Sequence, residues 1–572
     1  MVAVPKAQGN NAVSRKEVRD FFADQKQASL FLQAFAVLQA RDPKDPKSYA
    51  QVSSIHGLPN TEYDGFPSDK PDGGYCVHGQ ALFPSWHRPY IALLETLLIE
   101  AAVDIAKKYT KDTQTGSLLL KTSDSLTLIG RTMPQLLGLP SVLVDASVTV
   151  LAAPNAQSQT IKNPLASFAM PQFIRDSFPN TLGPLKTYKN TVRFPTSSSP
   201  DAGSDVPSLQ NAVKRIAPQL RSMVRVLFDG TVTKWAISRT MVGLFAPTAW
   251  KLPSLEYIHD QVHGTVSGNG GHMGYPEVAA YDPIFTSTTS VFDLFVDGAV
   301  ASKGLAPFRV KEGGNAWTSL EAREVGVSGT LTLSWTAVLA QYANRAAAPA
   351  PVVRPRGIEP VVGASTSRGI EVETAATTSR GIELDAPTPA PEKPKAAATN
   401  NDAGVVGFLK SLLNCAGSGQ TEVTPSSTQL VPIAPNTVTV GTRSSVFAHF
   451  QIKKNAISGP FTVRFTVGDV HVVEAHIFAR VNREMCANCI DLDDLVVGGN
   501  VSLTEAFTSI GVLEDRRKWA AAVSNSVYDW KGEKVDASKL ESLKVFLRGN
   551  VVRVGSEGEV VERVWMEDVV DV

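Results

Sequence analysis

The sequence is short of cysteine, of charge of one sign and of long apolar runs. Four Cys among 572 residues are too few for a disulfide framework, so the thiols serve either a reducing compartment or a specialised use. Lys and Arg total 55 and Asp and Glu total 55, with a pI near 7.1. The basic field that grips phosphate backbones or anionic membranes is missing, which argues against nucleic acid and membrane surfaces as partners. No uncharged apolar run reaches the ~18 residues of a membrane span, and the opening MVAVPKAQGN has no apolar h-region. The expectation is a cytoplasmic chain with no signal peptide, unconventional release remaining open.

Aromatic residues are also absent from 346 to about 400, where Ala, Pro, Thr, Val and Glu dominate. Nothing there can build a core. The stretch repeats Arg356-Gly357-Ile358-Glu359, Arg368-Gly369-Ile370-Glu371 and Arg380-Gly381-Ile382-Glu383, a period far below a solenoid unit, and reads as an extended, protease-sensitive linker. Before it, apolar residues recur at helical spacing over 21–40 and over 90–109, the second run preceded by Pro89. After it, 461–481 and 545–554 alternate apolar and polar residues and are rich in Val and Phe. The chain therefore divides into a mainly helical domain over 1–345, a linker over 346–400 and a β-rich domain over 401–572.

Six of the nine His fall in the helical part, and five have neighbours and spacing that suit metal ligation. His56 sits in SIHGLP; His78 and His87 sit in CVHGQALFPSWHRPY. His259 and His263, in SLEYIHDQVHG, are one helical turn apart and face the same way, so two imidazole nitrogens can converge on one ion. Neutral imidazoles suit copper, zinc, iron or nickel. An isolated His pair on a helix is more often a surface or hydrogen-bonded pair; five in two clusters are not explained that way.

These residues resemble the tyrosinase, catechol oxidase and molluscan haemocyanin family, whose type 3 centre holds two copper ions with three His each. H-G-x-x-x-F-P-x-W-H-R-x-Y spans His78 to Tyr90, and H-x-x-x-H is followed by G-x-M and D-P-I-F. The match covers about residues 1–345 and, more weakly, the C-terminal part. The resemblance implies a mainly α, four-helix-bundle dicopper domain followed by a smaller β-rich domain. By it His56, His78 and His87 ligate the first copper, His259 and His263 the second, and His272 is no ligand. Cys76 matches a Cys bonded by a thioether to the ligand His78, the alternative being an ordinary buried thiol. Glu256 matches a carboxylate that orients a water near the second copper. Asp260 stands where many strong monophenol hydroxylases carry Asn, and Phe285 is implied near the entrance. The implied activity uses dioxygen to ortho-hydroxylate monophenols and oxidise o-diphenols to o-quinones, which feed melanin. A C-terminal domain covering the site, opened by a protease in the linker, is implied too, as are small phenols and catechols as substrates; a homo-oligomer is left open.

Cys486 and Cys489 form a lone C-x-x-C that reads either as transient Cu(I) binding by soft thiolates or as a structural or redox pair. Cys415 reads as a free thiol. His449, His471 and His476 lie in strand-like segments and read as structural.

Three family motifs are missing. After Asp282-Pro283-Ile284-Phe285 the expected His-His doublet is replaced by Thr288-Thr289, so the sixth copper ligand is absent, and Thr cannot stand in for imidazole there. D-L-R-x-P-Y-W-D-W-A and F-G-Y-x-Y-P are absent as well. Reading 285–289, 121–131 and 327–335 one base out of register permits all three motifs at the expected places, with a single mismatch. Local frame slips inside an ordinary fungal tyrosinase account for this together. The competing readings are a copper-deficient pseudoenzyme and an oxygen binder of haemocyanin type, the latter disfavoured because the copper motifs occur once.

Overall fold

The structure is a computed structural model, and the residues it describes are 2–4, 18–68, 74–78, 82–113, 138–228, 255–285, 304–309, 314–318, 441–482, 495–554, 560–566 and 568–572. All belong to one compact unit built from Met1–Ala348 together with Ile433–Val572. The expected linker, Cys415, Cys486, Cys489 and the segments 121–131, 286–289 and 327–335 lie outside the described residues, as does the side chain of His471.

The first part is carried by helices α1 (Val18–Ala23), α2 (Gln25–Ala40), α3 (Tyr49–Ser54), α4 (Phe83–Ala106), α5 (Val206–Phe228) and α6 (Leu255–Ser267). Asp24 caps α2 by accepting from the backbone N–H of Lys26 and Gln27 at 3.0 and 3.1 Å, which satisfies donors that a helix start leaves unpaired. Ser48 caps α3 in the same way through Gln51 N–H. Helix α4 departs from expectation by opening at Phe83, well ahead of Pro89. Pro89 has no N–H for the carbonyl of Ser85, a loss the helix carries in its second turn, and His87 is thereby placed on the helix. Between α4 and α5 runs the antiparallel hairpin β1 (Ser147–Ala152) and β2 (Gln157–Lys162). The short pair β3 (Gly304–Arg309) and β4 (Ala316–Thr318) follows α6, and the Trp86 indole N–H fastens α4 to the Ala306 carbonyl of β3 at 2.8 Å.

The C-terminal part is two antiparallel sheets. One has the order β11 (Val560–Trp565), β10 (Lys544–Val554), β5 (Gly441–Lys453), β8 (Val496–Ser502), with β12 (Val570–Asp571) also beside β10; the other is β7 (Val470–Ile477), β6 (Phe461–Val467), β9 (Val523–Asp529). Alternation in β6 buries Phe461, Val463, Phe465 and Val467, as a half-buried strand demands. The alternating stretch over 461–481 forms a hairpin, turned at Gly468 with φ of 57°, a conformation open to glycine.

Among the described residues two apolar cores result. One lies between α2 and α4, around Phe31, Phe35, Leu94 and Leu98. In the other, Val463, Phe465 and Phe450 of the sheets share their interior with Phe83, Ile216 and Tyr257 of the helices. At about 1.5–3 kcal/mol for each such side chain taken from water, that shared core binds the two parts together. Glycine at 499 is required: a Cβ there would lie 2.2 Å from Cζ of Tyr257.

Candidate metal centre

Four ligating side chains converge first. His56 follows α3, Cys76 and His78 sit in a segment outside any helix or strand, and His87 projects from α4; their ligand atoms all lie within 4.8 Å of one another. Ring centroids are 5.1 Å apart for His56 and His78, 5.6 Å for His56 and His87, and 5.5 Å for His78 and His87. On α6, His259 and His263 are 4.3 Å apart, and His259 stands 6.2 Å from His78 and 6.4 Å from His87. The five candidate ligands thus form one continuous cluster. The place where a third ligand would be expected beside His259 and His263 is taken by Thr288-Thr289, which lie outside the described residues.

Backbone acceptors fix the rings. Nδ1 of His56 faces the Pro276 carbonyl at 3.2 Å, Nδ1 of His87 the Phe83 carbonyl at 2.6 Å and Nδ1 of His263 the Met273 carbonyl at 2.6 Å. A carbonyl only accepts, so each Nδ1 carries the proton and leaves a lone pair on Nε2. Nε2 of His56 and of His263 are buried with no hydrogen-bond partner among the described residues, the state of a donor atom reserved for a metal. For His259 the Nδ1 neighbour is the Asp260 carboxylate at 3.2 Å. His272 is built the other way: its Nδ1 accepts the Val192 N–H at 3.1 Å, and its ring lies against Tyr188.

Burial holds the imidazoles neutral. It pushes His56, His78 and His263 well below the ordinary histidine range, with neighbouring imidazoles adding to the effect. His87 is lowered to about 3, chiefly by burial. Neutral imidazole is the ligating form. These residues therefore fit a late first-row metal such as copper.

Cys76 Sγ lies 3.3 Å from Nδ1 and 4.0 Å from Nε2 of His78, so it faces the ring edge whose middle atom is the carbon between those nitrogens. Glu256 is buried in the first turn of α6, and Asp260 is buried beside His259. Phe285, implied near the entrance, is 1% exposed with the sheets in place and packs against His56 at 4.7 Å and His263 at 5.5 Å. The loop that carries it is fixed by Asp282, which receives three contacts of 2.6–3.0 Å from the Arg193 guanidinium; Arg193 also donates to the carbonyls of Leu143 and Leu165.

No residue of the C-terminal part was expected at the site by number, yet Phe478, directly after β7, lies against the histidines, its ring 4.2 Å from His263, 5.6 Å from His78 and 5.9 Å from His259. Two side chains of the helical part hold its strand. The Gln261 carboxamide donates to the His476 carbonyl at 2.8 Å and accepts the His476 N–H at 2.9 Å. Glu277 accepts the Val481 N–H at 2.7 Å, and its backbone carbonyl accepts Leu58 N–H at 2.8 Å. His449 and His476 stay in the sheets, on β5 and β7.

Fold and site define a class: a helical protein with converging neutral histidines, built to hold metal. Residues 46–288 match the model described as the common central domain of tyrosinase. Over that stretch, less than half of its length, the chain is similar to tyrosinases and polyphenol oxidases, several of them fungal. It is 31% identical over 283 residues to polyphenol oxidase 4 of Agaricus bisporus, covering 48% of this chain and 43% of that one. It is 27% identical over 377 residues to a tyrosinase of Neurospora crassa, covering 56% and 52%. The chain thus spans about half the length of these curated relatives. In fold it is similar to recombinant mushroom tyrosinase (TM-score 0.68, 21% identity, 100% of this chain and 98% of that one) and to an Aspergillus oryzae pro-tyrosinase variant (TM-score 0.66, 16% identity, 100% and 97%).

Proposed function

We propose that the chain is a latent tyrosinase or polyphenol oxidase. In this reading α2, α4, α5 and α6 form the bundle, His56, His78 and His87 hold one copper, and His259 and His263 contribute to a second. The bound copper pair supplies the redox chemistry that lets dioxygen hydroxylate monophenols in the ortho position and oxidise o-diphenols to o-quinones, which go on toward melanin. The protein's own residues place and protect the reaction. Carbonyls at Pro276, Phe83 and Met273 orient three imidazoles. Phe83 and Phe285 pack on the rings and keep water out. Glu256 orients a water beside the second copper site, and Asp260, beside His259 where many strong hydroxylases carry Asn, bears on how the phenolic proton is handled and leaves the balance of hydroxylation to oxidation open. Cys76, bonded to His78, locks that ring.

The observation that carries the reading is Phe478, an aromatic ring from the C-terminal sheets lying among His78, His259 and His263 where a phenol would dock. The resting state is then closed, with linker proteolysis over 346–400 releasing the cover, in a cytoplasmic setting. A chain expressed whole and loaded with copper should oxidise a small catechol slowly, and faster after the linker is cut. Two coppers per chain with no turnover after cutting would overturn the proposal. The literal Thr288-Thr289 favours a second reading, a chain that retains one copper and does not turn over, and copper analysis separates the two.

A further inference from the structure

Gln261 touches no imidazole in the described contacts and is absent from the family motifs used above, yet it is completely buried, two residues from both His259 and His263 on the same helix. Its carboxamide presents a donor and an acceptor to one residue, His476, pairing with both the N–H and the C=O. That is how a neighbouring strand pairs in a sheet, and it is indifferent to the side chain of the residue held. Two residues further on, the extended chain delivers Phe478 into the histidine cluster. Gly264, one helical turn after Gln261, makes room for this approach, since a Cβ there would lie 2.2 Å from Cγ of His476. Helix α6 thus has one set of residues turned to metal and another, Gln261 and Gly264, turned to main chain.

We propose that Gln261 is a main-chain subsite beside the metal centre: it clamps one residue of an extended peptide and thereby seats an aromatic side chain two positions C-terminal in the substrate pocket. In the resting chain the occupant is the cover's own His476-Ile477-Phe478; with the cover displaced, the ligand class is an extended peptide bearing an aromatic residue. The inference rests on the oxidase reading for what happens to that aromatic ring, and not for the clamp itself.

Two measurements test it on the whole protein. In the uncut chain, Gln261→Met should speed amide hydrogen exchange at His476 by about tenfold, the effect of losing roughly one to two buried hydrogen bonds. The full chain, folded intact and then cut in the linker with both pieces kept, is next titrated with the labelled octapeptide Val-Glu-Ala-His-Ile-Phe-Ala-Arg, the sequence of 473–480. A second peptide is methylated on the His backbone nitrogen. The methylated peptide should bind about tenfold more weakly to the natural chain, and the two should bind Gln261→Met equally. Unchanged exchange at His476, equal binding of both peptides by the natural chain, or a gap that survives Gln261→Met overturns the clamp. So does catechol turnover with no peptide binding. The peptide pattern without catechol turnover upholds the clamp and overturns the oxidase reading.

Discussion

At the scale of single residues, the charges are placed to hold loops. Arg193 and Asp282 are 1% and 0% exposed and every contact between them is within 3.0 Å. Removing one partner strands a buried charge, so Arg193→Met should cost about 3–5 kcal/mol in chemical denaturation and loosen the Phe285 loop. His272 offers a pH test. Burial lowers it to about 4 from an ordinary value of 6.5. Above about pH 6.5 neither state is protonated there and its contribution is complete. As pH falls toward 4 the unfolded chain binds a proton that the native chain refuses, so stability drops, by up to about 1.4 kcal/mol per unit. Urea denaturation of the metal-free chain between pH 7 and 5 should show a shallower decline in His272→Asn. For Cys76, peptide mapping of the chain loaded with copper in air should find the peptide holding Cys76 and His78 lighter by two hydrogens, dioxygen taking the two electrons lost as the S–H and ring C–H give way to a C–S bond, and Cys76→Ser should abolish that product.

At the scale of elements, what was legible in the sequence followed from how local its physical cause is. The His259 and His263 pair was readable because a helix alone brings those positions together, and the β6 and β10 alternation because a strand alone separates two faces. The start of α4 was misplaced because Pro89 is a breaker by its chemistry and is overruled only by the packing around it. Arg193, Gln261, Glu277 and Phe478 carried no signal: each acts through a partner distant in sequence, and Arg, Gln, Glu and Phe are common residues with many uses. Glycine at 264 was equally silent. There Ala would favour the helix by about 1 kcal/mol yet collide with His476. Gly264→Ala should therefore keep α6 while pushing β7 away, seen as faster amide exchange over 476–478 in a chain of unchanged helix content by circular dichroism.

At the scale of the whole molecule, the helical part and the sheets share an apolar core, so on the proposed reading the sheets are held in place by more than Phe478. Phe478→Ala in the uncut chain should raise basal catechol oxidation and leave the sheets folded, whereas cutting the linker alone should act more slowly, because the shared core must still separate.

The burial of the histidines has a consequence for how the protein is made. His259 and His263 are 1% and 0% exposed, and Phe478, 2% exposed, packs against both rings. A metal ion arriving after folding meets a closed door, so loading becomes a matter of timing. Its rate in the finished metal-free chain should level off as copper concentration rises, at the frequency with which the cover opens. Stopped-flow loading compared with amide exchange at His476 would give the same number twice, and a chain that folds before it meets copper would wait on that opening.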